Sequence, residues 1–342
     1  MALLDWFRQS TPKIETGRVS AALIDDTIDY VVKMTDARLT LVNNYRARLQ
    51  GPVARTLQYL GTLQQHLPPS HEVGPSSWSQ DVCMRAFFAR PADLVKTFSQ
   101  SQGLHDFAAQ SSALEPIHTV LAMRLEEQTH FGVGLQGDTM VRDVAQTSLN
   151  FSHHRLRLFA HSEKELLHSM SRRLLDELAI LALERMQTEQ DERRELEEHR
   201  SLLSARLATF QERGAGVASF LGEAGDRLSN EESGELLHQL ELNETRLAAL
   251  GSPAETLDRQ IDYLAEILAE PMRFVKFELH HPHVNNMNVV VGENDDGTTI
   301  EFGRVSVDRN PPQTHVFVPI RVDHAMIGDG RRLQLDNAER WL

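Results

Sequence analysis

The sequence predicts an α+β protein, with predominantly helical N-terminal and middle regions, a long helix or helical hairpin, and then a small C-terminal antiparallel β-meander. Three observations carry that expectation. Apolar residues recur at three- and four-residue steps through much of the first 270 positions, the spacing that builds one buried helix face. Residues 138–213 contain neither glycine nor proline, the residues that most often interrupt a helix. After Pro271, the segments RFVKFELH, MNVVV, TTIEFGRVSV and THVFVPIRV concentrate β-branched and aromatic residues between the turn signals GENDDG and DRNPPQ. The expected regions are a mostly helical 1–160, an acidic helical hairpin or coiled-coil-like 161–270, and an antiparallel β-module over 271–342.

Taken in order, helical spacing runs from Val19 to His66. LQGPVAR at 49–55 marks a break and restart, because Gly51 suits a helix end and Pro52 a first turn. LPPSHEVGPSSWSQ, 67–80, reads as a loop. Helical patterning resumes in DVCMRAFFARPADLVKTF and again from Pro116 to His130, whereas TSLNFSHHRLRLF, 147–159, has the composition of an extended segment. SEKE at 162–165 is a capping box that starts a helix, Ser162 accepting from free N–H groups while Glu165 reaches back.

A continuous helix from Glu163 to Arg213 would be about 75 Å long. Its stripe of Leu167, Met170, Leu174, Leu178 and Leu181 resumes at Leu196, Leu203 and Phe210, but QTEQDERRE at 187–195 has no apolar residue. Such a gap belongs in solvent or at a turn, so the spacing favours a hairpin or a partner-clasping arm over a long two-stranded coiled coil. Two more helices follow the break GAGVASFLGEAGD, the second opened by Ser252 as cap and Pro253 in the first turn. A short terminal helix is expected toward Leu342.

Composition narrows the functional classes. The single cysteine, Cys83, excludes an internal disulfide framework. No apolar run is long enough for a transmembrane segment and no secretory leader is visible, so a cytoplasmic protein is expected. Residues 151–270 carry 14 basic and 24 acidic groups, so this region alone supplies −10 of the net charge of −14. That field repels phosphate backbones, and no nucleic-acid partner is expected. MALLDWF at the N-terminus is apolar enough to touch a membrane but too short to anchor there.

Several motifs resemble chemical sites. GVGLQG, 132–137, matches the glycine pattern of dinucleotide-binding loops, but the helical reading of the preceding residues denies it the required strand. It reads instead as a helix-to-strand loop. DDTID, 25–29, resembles the paired-carboxylate motif of magnesium-dependent prenyl-diphosphate enzymes over five residues. Its acids, however, lie opposite Ile24, Ile28 and Val31, as on a solvated face with an Asp29–Lys33 pair. ELLH occurs at 165–168 and 235–238, similar to the Glu-x-x-His pairs of ferritin-like di-metal bundles. Helical phasing turns Glu165, His168, Glu235 and His238 away from the leucine faces, where a buried metal could not use them. GENDDG fails calcium-loop spacing and reads as a hairpin turn around Asp296 and Gly297. Cys83, between Val82 and Met84, reads as a buried small hydrophobe.

The densest candidate is ELHHPHVNN, 278–286, with three of the chain's 16 histidines in four positions. In an extended strand Val275, Phe277, Leu279, His281 and His283 share a face, and His280 points to solvent. His281 and His283 form a His-x-His pair that could serve one divalent transition metal if His315 or His324 supplied a third ligand. Simple meander topology puts neither beside them, so no cofactor is predicted. The expected function is therefore a non-enzymatic helical interaction or scaffold protein that binds a protein partner or another copy of itself. The alternative is a metal-dependent enzyme built on these histidines or, failing that, on a di-metal helical bundle.

Overall fold

The computed structural model describes residues 19–74, 76–111, 115–136, 139–221, 223–309 and 311–327. The apolar N-terminal segment and the expected terminal helix lie outside the described residues. In chain order, α1 (Ala21–Thr35) and a 3-10 turn (Ala37–Leu41) precede α2 (Tyr45–Gln65). Then come β1 (His71–Val73), α3 (Ser77–Gln80), α4 (Val82–Phe87), α5 (Pro91–Ser99) and α6 (Gln102–Ala108). Two long strands follow, β2 (Ile117–Gln136) and β3 (Thr139–Ala160), then the helices α7 (Glu163–Leu221), α8 (Glu223–Ala249), α9 (Pro253–Ala269) and α10 (Pro271–Phe274). The chain finishes with β4 (Val275–His280), β5 (His283–Val284), β6 (Thr298–Thr299), β7 (Phe302–Val307), β8 (Gln313–Val322) and a 3-10 turn (His324–Met326). The α+β class is as the sequence predicts.

The compact units are discontinuous: one comprises 1–56 and 176–270, the other 57–175 and 271–342. The first is helical. Ile28, Val31, Leu49, Val53, Ile261 and Leu264 are fully buried in it. Helix α2 runs unbroken through Gly51 and Pro52, so the expected break is not there. An internal proline forfeits one backbone bond and costs about 3 kcal/mol, and the burial of Leu49 and Val53 on either side offsets it. The interruption lies at Asp36–Asn44 instead, where Asp36 caps the 3-10 turn and Asn44 has a φ of 58°. Asp29 pairs with Arg46 at 2.6 Å and not with Lys33.

Helix α7 is a single element of 59 residues, with no turn at 187–195 and none at Gly214 or Gly216. Most of the polar stretch is in solvent, as its composition implies, with residues 187, 188, 191, 192, 194 and 195 exposed, while two of its charges are engaged. Glu189 is buried and accepts from Arg259 Nε at 2.9 Å, while Arg193 donates to the Leu250 carbonyl at 3.0 Å and so closes the α8–α9 junction. Helix α8 returns along α7, with His199 beside Asn243 at 3.5 Å. The capping box that opens α9 is present in full, with Ser252 and Glu255 bonded reciprocally.

The second unit is built on a sheet of order β3-β2-β8-β7-β4, in which β1 pairs in parallel with the last residues of β8. Strands β4, β7 and β8 are antiparallel as expected. They do not stand alone, since β8 also pairs with β2 from Ile117↔Val322 to Met123↔Val316. Strands from the expected first and third regions thus share one sheet. The MNVVV segment adds no strand to it and makes only bridges, Val289 to Ser148 and Val290 to Val284.

Residues 116–130, which read as helix, form most of β2. Ile117, Thr119, Val120, Leu121 and Met123 are all buried. A strand covered on both faces loses its period-two signature, and a short continuous apolar run cannot be told from a helix by spacing. GVGLQG is consequently strand, with Gly132 opposite Val144, Gly134 opposite Val141, and a register shift between them. The core on one sheet face joins Phe87, Phe88, Phe98 and Leu104 of the short helices to Leu121, Val318 and Ile320. On the other face Leu67, Met170, Phe277 and Val305 pack around Val120, Leu166 and Phe317. GENDDG does turn the chain, but the turn closes from Asp295 N–H to the Gly292 carbonyl, ahead of Asp296 and Gly297.

Candidate functional site

The predicted histidine ligands do not converge. Strand β4 ends at His280, Pro282 follows, and His283 opens β5, so His281 and His283 are not successive residues on one strand face. His281 faces Glu301 at 3.2 Å. His283 is held by Thr299 Oγ1 and the Asp295 carbonyl, each at 3.2 Å. His315 is an exposed residue of β8 opposite Val305, and His324 Nε2 donates to the Glu115 carbonyl at 2.8 Å. His280, expected in solvent, is half-buried and stacks on Phe302 with ring centroids 5.5 Å apart. Among the described residues, none of the four predicted ligands belongs to a group of three able to share an ion.

Three of the four ELLH residues lie as helical phasing predicts, and His168 does not. Glu165, Glu235 and His238 are exposed, and Glu165 accepts from the His161 N–H at 3.0 Å. His168 is half-buried. Burial pushes its pKa down and nearby Lys164 adds to the effect.

A different set does converge. One ligand atom each from His71, Asp81 and Cys83 can be chosen so that all three lie within 4.8 Å of one another. The fold explains how. β1 is pinned in parallel to β8, with His71 opposite Ile320 and Val73 opposite Val322. From Val73 the chain turns back through a loop fastened by buried Ser77, whose hydroxyl accepts from Gly74 N–H at 2.7 Å and donates to the Glu72 carbonyl at 3.1 Å. Trp78 Nε1 donates to the Phe88 carbonyl at 2.8 Å, tying the loop to the far end of α4. Asp81 then caps α4, its Oδ1 accepting from the Cys83 N–H at 2.7 Å and the Met84 N–H at 3.3 Å. The cap leaves Oδ2 to meet His71 Nδ1 at 2.8 Å.

The electrostatics follow from burial and proximity. Burial opposes a charge on His71, but its hydrogen bond to Asp81 and the nearby thiol of Cys83 outweigh burial, and the pKa is raised to about 10. Burial likewise opposes the Asp81 carboxylate, yet His71 and the two capping N–H groups hold its pKa below the usual value. Cys83 is 8% exposed and is, as expected, a buried thiol. Its thiol lies beside the imidazole and, with Asp81, favours the charged ring.

Asp81 and Cys83 also line a cleft of about 860 Å³, together with Glu72, Arg321, Asp323 and His324. A thiol and a carboxylate at the wall of a cleft, with an imidazole beside them, form a ligand set for a borderline-soft divalent ion. Reading the sequence along its length misses this set. The one available signal is that Asp81-Val82-Cys83 reads as the start of a helix, which would place a carboxylate and a thiol on one turn. His71 carries no local mark. No protein-family model, curated protein or solved structure matches the chain.

Proposed function

We propose that the chain is a non-enzymatic helical interaction or scaffold protein of the cytoplasm, engaging a protein partner or a second copy of itself through the α7–α8 hairpin. The observation that supports this reading is how little the hairpin buries of itself. Over residues 191–209 Leu203 is the one buried residue, and over 233–249 it is Asn243. Helices in water take most of their stability from tertiary burial of an apolar face, and a pair with so little internal burial gains from a third surface. Leu202, Leu237 and Leu242 stand 50, 50 and 51% exposed along it. The acidic excess of this region suits a basic partner surface. No helix among the described residues is long and apolar enough to cross a membrane.

The test combines light scattering of the purified full chain with native capture from its own lysate. A dimer or a stoichiometric complex that weakens when Leu202, Leu237 and Leu242 are replaced by Glu is the expected outcome. A strictly monomeric chain that captures no stoichiometric partner overturns the reading.

A further inference from the structure

We propose that His71, Asp81 and Cys83 form a mononuclear site for a zinc-class divalent cation, with a remaining coordination position open to the neighbouring cleft. The proposal is independent of any partner bound by the helical hairpin. Three observations converge on it.

The first is the donor set. The three ligand atoms lie within 4.8 Å of one another, near enough for side-chain rotation to bring each to the usual ~2.0–2.3 Å from a common centre. Thiolate, imidazole and carboxylate together select against magnesium and calcium, which take oxygen ligands, and in favour of zinc, cobalt or ferrous iron. Cys83 would bind as the thiolate and His71 as the neutral imidazole, a proton from each passing to solvent.

The second is preorganisation. Asp81 Oδ1 is occupied by two backbone N–H groups of α4, which fixes the carboxylate and aims Oδ2 at the site. His71 is held on a strand paired with β8, and the loop between them is cross-braced by Ser77 and Trp78. Ligands supported in this way lose little freedom on binding.

The third is access to solvent. Because Asp81 and Cys83 line the cleft, the open position faces space that a water or small ligand can enter.

Cobalt(II) is the probe, because a thiolate–cobalt bond absorbs in the near ultraviolet and this chain has a single cysteine. Full-length protein stripped with a chelator is titrated with Co²⁺ and then with Zn²⁺. The expected result is a sulfur-to-cobalt band that saturates near one equivalent and is displaced by Zn²⁺. It is absent in Cys83→Ser, and Co²⁺ affinity falls at least about tenfold in His71→Ala and in Asp81→Asn. The His281→Ala/His283→Ala variant keeps the band. Asp81→Asn retains the helix cap, so it carries the test if circular dichroism shows that His71→Ala does not fold. No band in the wild type overturns the proposal, and so does a band that persists at unchanged affinity in Asp81→Asn.

Discussion

Residues 280–283 place three histidines in four positions, whereas His71, Asp81 and Cys83 are spread over thirteen. The crowded segment is dispersed in space and the spread one converges. At 280–283 each ring is engaged separately: His280 on the face of Phe302, His281 with Glu301, and His283 with Thr299 and Asp295. At 71–83 a parallel strand pair and a helix cap bring three donors from two elements together. Density along a chain says little about convergence, because adjacent side chains on extended backbone point to opposite faces.

The largest effect should come from Asp81→Ala. It leaves the His71 ring buried without its carboxylate and removes the cap of α4, a loss of about 3–5 kcal/mol. Asp81→Asn should lose less, because the amide oxygen still caps. Urea unfolding of the full chain checks both, and an Asp81→Ala curve that overlays the wild type would remove the contrast between the two regions.

Next in size is a pH effect. The His71 pKa is raised from 6.5 to about 10 on folding. Its contribution to stability is therefore complete below pH 6.5 and is lost as pH climbs through 10. At about 1.4 kcal/mol per unit, it is worth at most about 5 kcal/mol. The difference in denaturation midpoint between wild type and His71→Gln, followed from pH 6 to 10 in the presence of chelator, should shrink steadily. A difference that stays constant would show that His71 is not held protonated.

Within the crowded segment, His280→Ala should cost about 1 kcal/mol through loss of its stack on Phe302. His281→Ala should cost less than about 0.5 kcal/mol, because its ring is exposed. If the thermal midpoint falls more for His281→Ala than for His280→Ala, the ranking of the two rings is wrong.

Parts of the fold are legible in the chain. Ser252, Pro253 and Glu255 announce the start of α9 by local chemistry, and the alternation of Val316, Val318, Ile320 and Val322 marks the buried face of β8. The start of α7 at Glu163 follows from Ser162 and Glu165. Burial defeats the same reading at residues 117–123, where covering a strand on both faces erases the period that would have distinguished it from a helix. At 187–195 the obstacle is different. Glu189 and Arg193 look like solvent-facing charges until Arg259 and the Leu250 carbonyl, some sixty to seventy residues away, are brought against them.

The sequence by itself determined the α+β class, the acidic character of the middle region, the helix caps, the outward face of the second ELLH pair, and Cys83 as a buried thiol. All of these depend on neighbours within a turn or a strand, or on composition. Only the tertiary structure decided that α7 is one helix, that β2 and β3 join the C-terminal strands in a single sheet, and that His71 meets Asp81 and Cys83. Those outcomes rest on pairing and packing between distant segments, whose energies depend on which surfaces are covered. A linear pattern records the residues but not that covering.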